Sequence, residues 1–100
     1  MEKIVAVKVV EGESADLDAL LKELEESQEI ILVEPFDGVV FAQAFISVTP
    51  AALPVLLRWI RSRAEARKSY KVAVNGVELS GYTPREIARV CESLQRLTEK

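Results

Sequence analysis

The chain has 100 residues, 49% hydrophobic and 29% charged, with 13 basic and 16 acidic side chains and no histidine. Folding at this length buries about two thirds of the unfolded surface, enough for one core but not for a core plus a deep private cavity, so a single domain over residues 1–100 that works through its surface is expected. Without histidine and with a single cysteine, the chain lacks the commonest general base, the means for a zinc cage and an internal disulfide. No catalytic, cofactor-binding or metal-ligating residue is therefore expected. The opening MEKIVAVKVV lacks the pattern of a signal peptide, and no apolar run reaches the about 18 residues of a membrane span. A cytoplasmic location is the expectation, in keeping with one cysteine.

Residues 3–10 are rich in β-branched side chains, with Val5, Val7 and Val9 on one face and Ile4, Ala6 and Val10 on the other. That pattern predicts a strand covered on both sides, with Lys8 near its open end. Ser14 is placed to cap a helix whose first turn carries Asp16 and Asp18, and Leu17, Leu20, Leu21 and Leu24 recur at helical spacing. Ile30 to Val33 is a short apolar run of strand length, ended by Glu34 and Pro35. Asp37-Gly38 then precedes Val39 to Ile46, a nearly unbroken apolar stretch that suits a buried strand closing a hairpin across Pro35 to Gly38, with a helix as the alternative.

Thr49-Pro50 suits a helix start, and Leu53, Leu56, Leu57, Ile60 and Ala64 fall on one face beyond it. Pro54 conflicts with that start, so the helix kinks there or begins later. Tyr70 to Val74, Asn75-Gly76 and Val77 to Leu79 spell a hairpin with a type I′ turn. Thr83-Pro84-Arg85-Glu86 supplies a capping box, followed by the apolar stripe Ile87, Val90, Cys91, Leu94 and Leu97. The resulting string, β-α-β-β-α-β-β-α, predicts an α+β fold. Its first six elements fit a ferredoxin-like βαββαβ sheet with two covering helices, extended by a C-terminal hairpin strand and helix.

The carboxylates Glu23, Glu25, Glu26, Glu29 and Glu34 are expected on a solvated face rather than around a substrate. Cys91, among apolar positions, is expected to act as a small hydrophobe. Gly12, Gly38, Gly76 and Gly81 stand singly, which gives no phosphate-binding loop. Charge is far from even. Residues 1–57 hold 3 basic and 11 acidic side chains, whereas residues 58–71 hold Arg58, Arg61, Arg63, Arg67, Lys68 and Lys71 against Glu65.

Such a block suits docking to an acidic protein surface or contact with nucleic-acid phosphates. It also has a structural account, in which cations end a helix favourably beside an acidic first helix. The acidic balance, with pI ≈ 5.0, ranks protein above nucleic acid. Trp59 lies on the strip with Val55 and Arg63, where it is expected as partly buried core with its edge available to a partner, since tryptophan and arginine together also suit an interface. Arg58, Trp59, Arg61, Arg63, Arg67 and Lys68 are thus the candidate partner-binding residues.

The run Leu53-Pro54-Val55-Leu56-Leu57-Arg58-Trp59-Ile60-Arg61-Ser62-Arg63, a charged turn, and Val72-Ala73-Val74-Asn75-Gly76-Val77-Glu78-Leu79 resemble the bacterial effector-associated constant component family. The Asp16 to Leu21 helix and the Ile31 to Pro35 strand are also similar to its N-terminal half. The resemblance implies a non-enzymatic adaptor that recruits or couples effector and NTPase proteins in bacterial conflict or signalling systems. The chain departs from the family at Phe45 to Pro50, where a longer glycine-rich stretch is usual. A homo-oligomer, a nucleic-acid-binding accessory protein using residues 58–71, and a phage-type inhibitor or accessory subunit are the alternatives.

Overall fold

The structure, a computed structural model, describes residues 3–25, 30–34 and 38–98. In chain order it comprises β1 (Ile4–Val10), a 3-10 turn (Glu11–Glu13), α1 (Ser14–Glu23), β2 (Ile31–Val33), β3 (Phe41–Ser47), α2 (Leu53–Glu65), β4 (Lys71–Val74), β5 (Val77–Leu79) and α3 (Pro84–Arg96). The strands form one antiparallel sheet in the order β2-β3-β1-β4-β5. This is a small α+β fold. None of its helices is long and apolar enough to cross a membrane, among the described residues.

Val5, Val7 and Val9 alternate with outward residues, as the period of two in a strand requires. Ala42, Ala44 and Ile46 of β3 and Val72 and Val74 of β4 point to the same side. There they meet Leu17, Leu20 and Leu21 of α1, Leu56, Leu57 and Ile60 of α2, and Val90, Cys91 and Leu94 of α3. One core results. The helices cover only this side, so the expectation of a β1 covered on both faces is corrected. On the other face Ile4 is exposed and Ala6, Lys8 and Val10 are partly so.

Val39 to Ile46 resolves as a strand, shifted to Phe41–Ser47. Its partner β2 pairs as a hairpin arm should, Ile31 opposite Gln43 and Val33 opposite Phe41. The turn expected across Pro35 to Gly38 lies largely outside the described residues, as do Glu26 and Glu29. Ser14 does not cap α1. It is the first helical residue, and the 3-10 turn leads directly into the helix without a side-chain cap.

The second helix starts later than Pro50. The Ala52 N–H donates to Thr49 Oγ1 at 3.1 Å and the Leu53 N–H to the Thr49 carbonyl at 2.9 Å, making a turn before α2. Pro54 therefore falls in the first turn, where its missing N–H costs no helical hydrogen bond. The α3 capping box forms as expected. Thr83 Oγ1 accepts from the Glu86 N–H at 3.2 Å and Glu86 Oε1 accepts from the Thr83 N–H at 3.3 Å. The Thr83 hydroxyl's hydrogen bond holds the Glu86 carboxyl below the usual carboxylate range.

Asn75 and Gly76 take φ of 52° and 82°, the left-handed pair that a type I′ turn demands. Gly81 is a glycine for a different reason. A Cβ there would meet the backbone of Glu86 and Ile87 at 3.0 Å, so the chain passes tight against the first turn of α3.

Candidate functional site

The start of α1 and the end of α2 lie side by side, which places an acidic N-terminus next to a basic C-terminus, the arrangement both macrodipoles favour. Arg63 is buried, 3% exposed. Its guanidinium pairs with Glu13 and with Asp16 Oδ2 at 2.9 Å, and donates to the Ser69 carbonyl at 2.7 Å from Nη2 and 3.2 Å from Nε. A planar five-donor fork suits such a set of acceptors, and a lysine ammonium does not.

Trp59 precedes Arg63 by one turn. Its ring lies under the guanidinium, with Arg63 Cζ 5.0 Å from the centroid, and meets Tyr70 edge-on at 6.5 Å between ring centroids. The indole N–H donates to the Asp16 carbonyl at 3.3 Å. Trp59 is thus half-buried and tied to the fold through its ring and its N–H.

Lys68 Nζ donates to Asp16 Oδ2 at 3.2 Å. The hydrogen bond from Lys68, followed by that from Arg63, holds the Asp16 carboxyl below its usual range despite partial desolvation. Arg58 pairs with Glu23 across the same pair of helices. Arg61 and Arg67 are exposed and make no ion pair among the described residues.

The six candidate residues therefore do not form one patch. Trp59 and Lys68 border a cleft of about 220 Å³ with Asp16, Ala19 and Ser62, below the about 300–1,000 Å³ of ordinary small-molecule pockets. Arg63 lines the same cleft, with its guanidinium committed to Glu13, Asp16 and the Ser69 carbonyl. Arg58 stands over α1. Arg61 lies on the opposite flank of α2, where with Glu65, Pro84, Ile87, Ala88 and Cys91 it lines a groove of about 350 Å³ between α2 and α3.

Arg67 closes α2 in the left-handed conformation, φ 57°. Its N–H reaches the Ala64 carbonyl at 3.1 Å, and the Lys68 N–H reaches the Arg63 carbonyl at 2.9 Å. This is the double hydrogen bond of a Schellman motif.

The ion pairs follow the structural account of the basic block, cations ending a helix beside the acidic first helix, whereas Glu13 was not singled out as a partner. Their signal was present in the opposite charge of the two helices, but sequence does not say which helix ends meet. Cys91 is buried, in the apolar role expected of it. The described residues contain no cluster of three or more acidic, cysteine or histidine side chains able to hold a metal ion. No family model, curated protein or solved structure matches the chain.

Proposed function

We propose that this chain is a non-enzymatic protein-interaction adaptor that works in the bacterial cytoplasm and couples an effector or NTPase partner in a conflict or signalling system. Its frame in this reading is ferredoxin-like, supported by the antiparallel order β2-β3-β1-β4, with β5 and α3 added beyond β4. The observation that carries the reading is the groove between α2 and α3. Pro84, Ile87 and Ala88 supply an apolar wall, and Arg61 stands at its rim with no ion pair among the described residues. An apolar floor with an arginine rim is how protein interfaces are ordinarily built.

Nucleic acid is the weaker alternative, because Arg58, Arg63 and Lys68 already face the carboxylates of Glu23, Glu13 and Asp16. Phosphate contacts by those side chains would first have to break these pairs. The test is capture of partners from nuclease-treated bacterial cytoplasm, with wild type compared with Arg61→Glu/Ala88→Glu. One stoichiometric effector or NTPase, depleted about tenfold or more by the double variant, is the expected result (about 1.4 kcal/mol per decade). Equal recovery by a folded double variant, or no stoichiometric protein with wild type, overturns the reading.

A further inference from the structure

We infer that the helix-free face of the sheet binds a second copy of this chain. The registers place four rows of side chains on that face. Val33, Phe41 and Val10 form one row; Ile31, Gln43, Lys8 and Lys71 a second; Phe45, Ala6, Ala73 and Glu78 a third; Ser47 and Ile4 the last. A sheet face that meets water is ordinarily polar at its outward positions. Here most are apolar, with Ile4 53%, Ile31 48% and Phe45 41% exposed. Exposed apolar area gathered in one place marks an association surface.

Charge and shape favour a copy of the chain over another kind of partner. The polar groups on this face balance: Lys8 pairs with Glu78 at 2.7 Å, and Lys71 lies 5.2 Å from the Phe41 ring centroid beside Glu34. A face with two cations and two carboxylates, on a chain of net charge −3, is where two acidic molecules approach with least repulsion. Consider a two-fold axis along β1, as a closed dimer requires. It sets β1 against β1 and β3 against the partner copy's β4, row for row, so that the two copies of Lys8 meet at the axis, each neutralised by its own Glu78.

In that arrangement Phe45, the largest outward side chain of its row, falls opposite the small Ala73 on both sides of the axis. Two such sheets stack aligned, about 10 Å apart, as in a sandwich. The face is limited in extent. At about 3.4 Å per residue and 4.8 Å between strands, its five strands project about 400 Å², roughly half of the about 800 Å² per partner in a standard stable complex. The association is therefore a concentration-dependent equilibrium rather than a permanent dimer.

Sedimentation of the full chain from about 5 μM to about 1 mM spans the range where an interface of this size dissociates. The expected result is a mass that rises from 11.1 kDa toward twice that value, with Phe45→Glu remaining monomeric and its circular dichroism unchanged. Amide shifts measured over the same range should move at Ile4, Ala6, Phe45 and Ala73, which decides the matter even where Phe45→Glu does not fold. A wild-type mass that stays monomeric over this range overturns the proposal. So does a dimer that survives Phe45→Glu in folded form, or shift changes confined to α2 and α3. Arg61→Glu/Ala88→Glu should dimerise like wild type, so failure of this inference and failure of the adaptor reading are separable.

Discussion

Trp59 and Arg63 sit one turn apart on α2 and reach the same residue of α1, the indole N–H donating to the Asp16 carbonyl and the guanidinium to its carboxylate. With the cation stacked on the ring, the pair forms one clamp between the two helices. Arg63→Met is predicted to remove the guanidinium's ties to Glu13, Asp16 and the Ser69 carbonyl and to leave the ring without its cation. The expected loss is about 2–4 kcal/mol, which lowers Tm by about 10–20 °C for a domain of this size. Arg63→Lys keeps the charge but not the fork, and should recover less than half of that loss. Thermal unfolding of both variants tests this, and a fall under about 1 kcal/mol for Arg63→Met would show the clamp to be inert.

The lowered pKa of Asp16 fixes the sign of a pH effect. Its carboxyl titrates below the ordinary aspartate value in the fold, held there first by the hydrogen bond from Lys68, and at the ordinary value when unfolded. The stability it contributes is thus complete above the unfolded value and is lost as pH falls through the folded one. Asp16→Asn is predicted to lower stability at neutral pH and to flatten the decline of stability in acid. Urea unfolding of wild type and variant at pH 7 and again near pH 3 is the check; an equal difference at both pH values contradicts the assignment.

The Tyr70 hydroxyl is buried and has no hydrogen-bond partner among the described residues, and burial pushes its pKa up to about 12. Removing an unsatisfied buried hydroxyl costs little or helps. Tyr70→Phe is expected to be neutral or stabilising by up to about 1 kcal/mol in urea unfolding. A loss of more than about 1 kcal/mol would mean that the hydroxyl has a partner in solution.

Arg67 occupies a left-handed position that glycine fills at lower cost. Arg67→Gly is predicted to stabilise the fold by about 0.5–1 kcal/mol, visible as a higher Tm. The contrasting case is Gly81→Ala, where the new Cβ meets the first turn of α3 at 3.0 Å. That substitution should cost about 1–3 kcal/mol, and an unchanged Tm would show that the neighbouring turn yields.

Most of the architecture was legible because each element carries its own local signal. The Asn75-Gly76 turn and the Thr83/Glu86 box are short-range chemistry and appear where the residues place them. The α2 start was ambiguous because Thr49-Pro50 and Pro54 offer competing positions, and the structure satisfies both with a turn followed by a helix. The covering of β1 was misread for a different reason. Alternating apolar residues on both faces report what a strand avoids exposing, not whether its own chain supplies the cover. At the candidate site, the basic block was visible in the composition of residues 58–71. Its division into a buried clamp, a salt bridge over α1 and an open flank was not, because that depends on how α1 lies against α2.

The outermost strands, β2 and β5, have three residues each. Growth by adding strands at an edge repeats without end, because every new strand presents another edge, and long flat edges are how proteins form fibres. Among the described residues, an incoming strand would find only three residues of ladder on either outer strand, a short edge to extend. Pairing through the face, by contrast, is consumed when it occurs. If the sheet face pairs as proposed, these proportions lead to an assembly that ends at two and not to one that precipitates.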